Sequence, residues 1–141
     1  MSNSPLVVVD ADAIIAQSNP RDSNYKKAIS ISENLQNLQT HMLYPITAIG
    51  EATAFMQRVL KSSATAYGMA TVFLDPQYEL VDITQDIYVK AVEGYFSSKA
   101  SNKDTLFDCF VASIAEKYHA DAIFSFDKYY KKNGFKLASE L

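Results

Sequence analysis

Four acids carry the residue types and placement that could do chemistry: Asp10, Glu51, Asp108 and Asp127. Asp10 closes the apolar run Leu6-Val7-Val8-Val9, and Asp127 follows a second apolar run, Ala122 to Phe126. Asp108 lies four residues after Asp104 in a helical segment, where two like charges disfavour a bare helix unless something offsets them. Two carboxylates about 4 Å apart repel by roughly 4 kcal/mol at an effective dielectric near 20, so converging acids need raised pKa values or bound cations. No histidine or cysteine occupies these positions, and an all-oxygen set favours Mg²⁺ or Mn²⁺ over zinc. A carboxylate-bound pair of such ions suits phosphodiester cleavage: one ion lowers the pKa of the attacking water and the other stabilises the departing oxygen. Taken singly, each acid also has an ordinary role. Asp10 could end a strand, Asp127 could begin a turn, Asp104 could cap a helix, and Glu51 lies off its helix's apolar face beside Thr47 and Arg58.

The elements that must position them can be read along the chain. Leu6 to Val9 is short, β-branched and apolar, as expected of a strand covered on both faces. A short helix is predicted from Ala11 to Ala16 and a longer one within Ser23 to Leu38. A strand over Met42 to Tyr44 is stopped by Pro45, and a helix follows from Thr47 to Lys61. Ser62 or Ser63 could cap a helix running to Leu74. Tyr78 to Ile83 reads as a strand, and Thr84 caps a helix to about Phe96. After a polar loop from Ser97 to Lys103, a helix begins near Asp104, with Leu106, Phe107, Phe110, Val111, Ile114 and Tyr118 as its core stripe. Ala122 to Phe126 is a fourth strand, and Phe135 to Leu137 a candidate fifth. Strands alternating with helices predict an α/β fold, a three-layer α/β/α sandwich around a mainly parallel sheet. Ligand sites in such folds lie beyond the carboxyl ends of the strands, where Asp10 and Asp127 fall.

Composition narrows the setting. The 141 residues, 48% hydrophobic and 21% charged, suit one folded domain spanning residues 1–141, with no repeat or linker to divide it. The lone Cys109 excludes an internal disulfide and fits a reducing compartment, and His41 and His119 are too few for a structural zinc site. Neither a signal peptide nor a membrane-spanning stretch is evident, so a cytoplasmic location is expected. The net charge of −3 is unusual for a nucleic-acid binder. Setting aside four acids for a metal site leaves twelve against thirteen Lys and Arg, and seven of those thirteen lie at or after Lys99. Among them Lys99, Lys103, Lys128, Lys131 and Lys132 are candidates for phosphate contacts, although each could equally be part of a solvated face.

Four blocks resemble the motifs of the PIN domain family in order. They are Val7 to Ile15, Pro45 to Ala52, Thr105 to Ala115, and Ala122 to Tyr130, and together they span nearly the whole chain. The resemblance implies a three-layer fold and metal-dependent ribonuclease activity. It further implies Asp10, Glu51 and Asp108 as core ligands of Mg²⁺ or Mn²⁺, Asp127 as the acid completing the pocket, and Ser125 as a hydrogen-bond donor to it. Members of this length resemble VapC-type toxins, which implies an RNA substrate, a cognate antitoxin protein that reaches into the site, and a homodimer. Tyr67, Phe73, Tyr88, Tyr95 and Phe96 are the aromatic residues expected to form a dimer face. Two positions depart from the family pattern. Asp12 replaces a small polar residue and is either an outer ligand or a helix cap. Gly50 puts a helix-weakening residue beside Glu51.

Three rival readings remain. A PIN scaffold could bind RNA or a protein without cutting. Asp10-Ala11-Asp12 also resembles the start of haloacid dehalogenase-type phosphatases, with a nucleophilic first Asp. That family wants Thr or Val where Ile14 stands and a later glycine followed by paired acids, which the chain lacks. A receiver domain fits the length but needs an Asp at the end of a central strand, and Glu51 is helical.

Overall fold

A computed structural model describes residues 3–141. Its centre is a four-stranded, wholly parallel sheet in the order β3-β2-β1-β4, formed by β1 (Leu6–Val9), β2 (His41–Pro45), β3 (Glu79–Val81) and β4 (Ala122–Phe124). β1 is interior. Val7 pairs with Met42 on one side and Ala122 on the other, which explains a strand of three fully buried valines. Alternation of side chains sends Val7, Val9 and Phe124 to one face, and Val8, Leu43 and Ile123 to the other.

On the first face lie α1 (Ala11–Ser18), α2 (Tyr25–Asn37) and α3 (Ile46–Arg58), which bury Ala13, Ile14, Ala28, Leu35, Ala48 and Ala52 against the valines. α4 (Ser63–Val72) packs beside α3. The second face is covered by α5 (Gln85–Lys90), its π-helical continuation Ala91–Tyr95, and α6 (Leu106–Lys117). A short helix, α7 (Tyr129–Lys132), places Tyr129 and Tyr130 in that second core. The result is the three-layer α/β/α sandwich expected from the strand–helix alternation. Among the described residues, no helix is long and apolar enough to cross a membrane.

Several local expectations give way to tertiary effects. Pro45 ends β2 rather than stopping it a residue earlier, because the last position of a parallel strand leading into a helix requires no donor there. Phe135 to Leu137 forms no strand. A single bridge joins Leu137 to Ile123, and the chain then turns into a 3₁₀ segment, Ala138–Glu140. α7 is too short for periodicity to reveal. The expected aromatic dimer face is also divided: Phe73 is buried against Tyr44 and Tyr78 at 4.9 and 5.1 Å between ring centroids. Tyr95 is half-buried against Phe135, while Tyr67, Tyr88 and Phe96 stay exposed on separate elements.

Candidate metal centre at the carboxyl edge of the sheet

Because all four strands run the same way, β1 and β4 deliver Asp10 and Ser125 to the same edge of the sheet. Asp10 is both the last residue before α1 and its N-cap. Its Oδ1 accepts from the Ala11 N–H at 2.7 Å, and this bond to the helix start fixes the side chain. Its Oδ2 accepts from the Ser125 hydroxyl at 3.1 Å and from the Tyr130 hydroxyl at 2.9 Å. Asp10 is thus a buried carboxylate held at both oxygens.

Asp108 arrives from the opposite layer. α6 begins at Leu106 with Thr105 as its N-cap, so Asp104 stands in the preceding turn and is neither the cap nor a helical neighbour of Asp108. The Thr105 N–H donates to Asp108 Oδ2 at 2.9 Å in a capping-box arrangement. The other oxygen, Oδ1, lies 3.4 Å from the Tyr130 hydroxyl. One buried phenol therefore bridges Asp10 and Asp108, acids that are 98 residues apart in the chain. Nothing in the sequence reading singled out Tyr130. Its only signal was its position three residues after Asp127.

The remaining acids gather around this bridge. Asp104, Asp108 and Asp127 each offer an oxygen within 4.8 Å of the other two, an arrangement able to hold a cation. Asp127 itself is oriented by two local bonds: its N–H donates to Ser125 Oγ at 3.1 Å, and its Oδ1 accepts from the Tyr129 N–H at 2.9 Å. Glu51, on α3, is half-buried and feels the charges of Asp10, Asp108 and Asp12. The sheet and the two helical layers therefore bring Asp10, Glu51 and Asp108 near one another, and Asp108 also belongs to the oxygen cluster with Asp104 and Asp127. Asp104, whose like charge four residues before Asp108 called for something to offset it, is one of that trio.

Asp12 is not a helix cap. Its Oδ2 accepts from the Ser125 hydroxyl at 3.0 Å and from the Phe126 N–H at 2.8 Å, tying α1 to the end of β4. Its Oδ1 is buried with no hydrogen-bond partner among the described residues. Ser125 has one proton and two carboxylate neighbours, Asp10 and Asp12, so it can donate to only one at a time.

These contacts leave more negative charge than the donors can offset. Burial, and then the charge of Asp12, raise the Asp10 carboxyl to about 7. Burial raises Asp12 to about 6. Burial lifts Glu51 to about 7, helped by Asp10, Asp108 and Asp12, and lifts Asp108 to about 6. Burial also pushes the Tyr130 phenol well above its usual range, so it stays a proton donor. Carboxyl groups raised together in one pocket, all supplying oxygen and including an unpartnered buried atom, fit a hard divalent cation.

The cationic candidates lie on the segments that carry Asp104 and Asp127. Lys99 and Lys103 lie in the segment before α6, Lys128 adjoins Asp127, and Lys131 and Lys132 stand on α7; all five are exposed. Lys131 is paired with Glu140 at 2.7 Å.

The bridge itself is open to measurement. Tyr130→Phe removes a buried donor to an acid without changing the shape of the ring. The change should lower stability by about 1.5–3 kcal/mol at pH 8, the range for hydrogen bonds to charged groups. Equilibrium denaturation would show it, and a variant as stable as the parent would mean that the hydroxyl holds neither acid.

No protein-family model matches the chain, and no curated protein sequence matches it. Solved structures do. VapC20 of Mycobacterium tuberculosis, described as a toxin that cleaves the sarcin-ricin loop, superposes with a TM-score of 0.77 at 16% identity, covering 92% of this chain and 95% of that one. A chain of VapBC2 from Rickettsia felis, bound to a DNA fragment from its promoter, superposes with a TM-score of 0.60 at 13% identity, covering 94% of this chain and 96% of that one. The protein shares the α/β fold of these VapC-type structures over more than nine-tenths of its length.

Proposed function

We propose that the protein is an Mg²⁺- or Mn²⁺-dependent endoribonuclease, the toxin member of a toxin–antitoxin pair. The observation that supports this reading is the mutual influence of Asp10, Glu51 and Asp108, carried by two helical layers and the central strand, whose carboxyl groups burial and neighbouring acids raise to about 6 or 7. The fold shared with a toxin that cleaves the sarcin-ricin loop supports the substrate class. The likeness to a VapBC assembly supports an antitoxin partner, and exposed Tyr67 and Leu74 on and just after α4 leave apolar surface for a second copy.

In this reading Asp10, Glu51, Asp108 and Asp127, with Asp104 beside them, would hold the cation. A bound divalent ion supplies water activation at neutral pH and neutralises charge on the departing oxygen. The chain's own residues do the positioning. Ala11 N–H and Tyr130 fix Asp10, the capping bond to Thr105 fixes Asp108, and Ser125 sets the spacing between Asp10 and Asp12. Donors set by backbone and buried groups lose little on reaction, so the oxygens are arranged beforehand. Lys99, Lys103, Lys128 and Lys132 draw the RNA backbone toward a mouth that would otherwise repel it.

Incubation with mixed RNA tests the reading directly. Cleavage is expected with Mg²⁺ or Mn²⁺ and is expected to stop with chelator. RNA binding without cleavage in either metal would favour a silent scaffold, and phosphate release from an aryl phosphate would favour the phosphatase.

A further inference from the structure

An open groove of about 590 Å³ adjoins the acids, and Glu51 forms part of its wall. Its floor is one stripe of α3, where Gly50 and Ala54 offer almost no side chain. Phe55, Val59 and Phe107 are its apolar walls, and Arg58 also lines it. Three features of this groove go unexplained by folding alone.

Phe107 belongs by sequence to the core stripe of α6, yet it is 43% exposed, and its ring meets the Phe110 ring in a T-shaped arrangement with centroids 6.3 Å apart. Leaving an aromatic face in water one residue from Asp108 forgoes burial that the neighbouring Phe110 obtains. Gly50 lies inside a helix, where alanine would be favoured, and a Cβ there would meet nothing within 4 Å. Packing therefore does not demand glycine, and any larger side chain would project into the groove. Arg58 is exposed two helical turns from Glu51 and makes no ion pair among the described residues.

We infer that this groove binds a nucleobase of the RNA strand beside the cleaved phosphate, stacked on Phe107, with Arg58 taking an adjacent phosphate. The inference rests on the nuclease reading and names the form of its substrate: RNA whose bases are unpaired and can turn out of the strand. The volume falls in the range of roughly 300–1,000 Å³ typical of small-ligand sites. Every base has a π face, so an exposed aromatic wall recognises unpaired RNA without a paired partner. Continuity carries the choice of occupant: Glu51 lines the groove and feels the charges of Asp10 and Asp108, so a strand cut at the acids passes the groove, where Arg58 offers its phosphate a cation.

The test uses the full chain with Mn²⁺ and a fluorescent single-stranded oligoribonucleotide of mixed sequence. Initial rates are compared for the parent, Phe107→Leu, Phe107→Tyr and Gly50→Leu. Phe107→Leu removes the π face and Gly50→Leu fills the groove, and each should raise KM about tenfold, within the stacking contribution seen per base. kcat should change much less, Phe107→Tyr should keep the parental KM, and Gly50→Leu should melt no lower than the parent. Parental KM values in both leucine variants, with the parent cleaving, would overturn the base subsite and leave the nuclease intact. A parent that neither binds nor cleaves the oligoribonucleotide in Mn²⁺ would overturn both.

Discussion

Asp108→Asn is expected to reduce metal-supported RNA cleavage on the order of 100-fold or more, since losing even an outer partner of a metal ligand typically costs 10- to 100-fold. The substitution is well chosen because the amide oxygen can still accept from the Thr105 N–H, so the start of α6 survives. What disappears is one of the three charges in the oxygen cluster with Asp104 and Asp127. Asp10→Asn should behave alike. Its amide can accept from Ala11 while donating toward Ser125 and Tyr130, whose hydroxyls are free to reverse and pass their protons to Asp12 and Asp108. Rates measured on one oligoribonucleotide at saturating Mn²⁺ decide the matter. Cleavage at the parental rate in both variants would remove the nuclease reading.

The same variants should be more stable, not less, when no cation is present. Asp10, Asp12, Glu51 and Asp108 all have folded-state pKa values raised to about 6 or 7, against unfolded values near 4. Between those limits the folded chain holds more protons than the unfolded one, so stability falls as pH rises. The stability is fully present below about 4 and is lost as pH rises through about 7. For Asp10 alone, a rise from 3.8 to about 7 corresponds to about 4 kcal/mol. Surface acids act the other way but at lower pH. Asp86, held near 2 first by its hydrogen bond to Lys117, gives stability that is lost only as pH falls toward 2.

In chelator, then, the melting temperature should drop between pH 5 and pH 8, and Asp10→Asn should flatten that slope. Adding Mn²⁺ at 100 times its dissociation constant should restore about 2.7 kcal/mol at pH 8. In a chain of this length that amounts to a rise of roughly 10 °C. The rise should be smaller at pH 5, where protons already occupy the carboxyl groups, and smaller in Asp108→Asn. A melting curve indifferent to millimolar Mn²⁺ at pH 8 would mean that the acids hold no cation. Scanning fluorimetry across the pH series measures all of this in one experiment.

Local pattern was enough for the framework. Val7, Val8 and Val9 announce a strand covered on both sides, and the alternation of such runs with helical periods leads to a parallel sheet and its ligand-bearing edge. Asp10 and Asp127 could be placed there because a strand's end is a local property. The four quoted blocks name the acids that the folded chain brings together. Limits appeared wherever contact between distant residues decides. The helix wheel assigned Phe107 to the core, although only the neighbouring layers determine which part of a stripe is covered. The helix was expected to begin near Asp104, but the bond from Thr105 to Asp108 starts it two residues later, at Leu106.

Gly50 illustrates the division well. Sequence marks it as a weak point in a helix, and only the packing around it shows that the empty space is a groove shared with Glu51. Periodicity and composition record which faces are apolar, because burial acts on each residue through its own side chain. A shared proton or a shared cation depends on atoms brought within a few ångströms by the whole fold. The phenol of Tyr130 between Asp10 and Asp108 is therefore decided by tertiary structure alone.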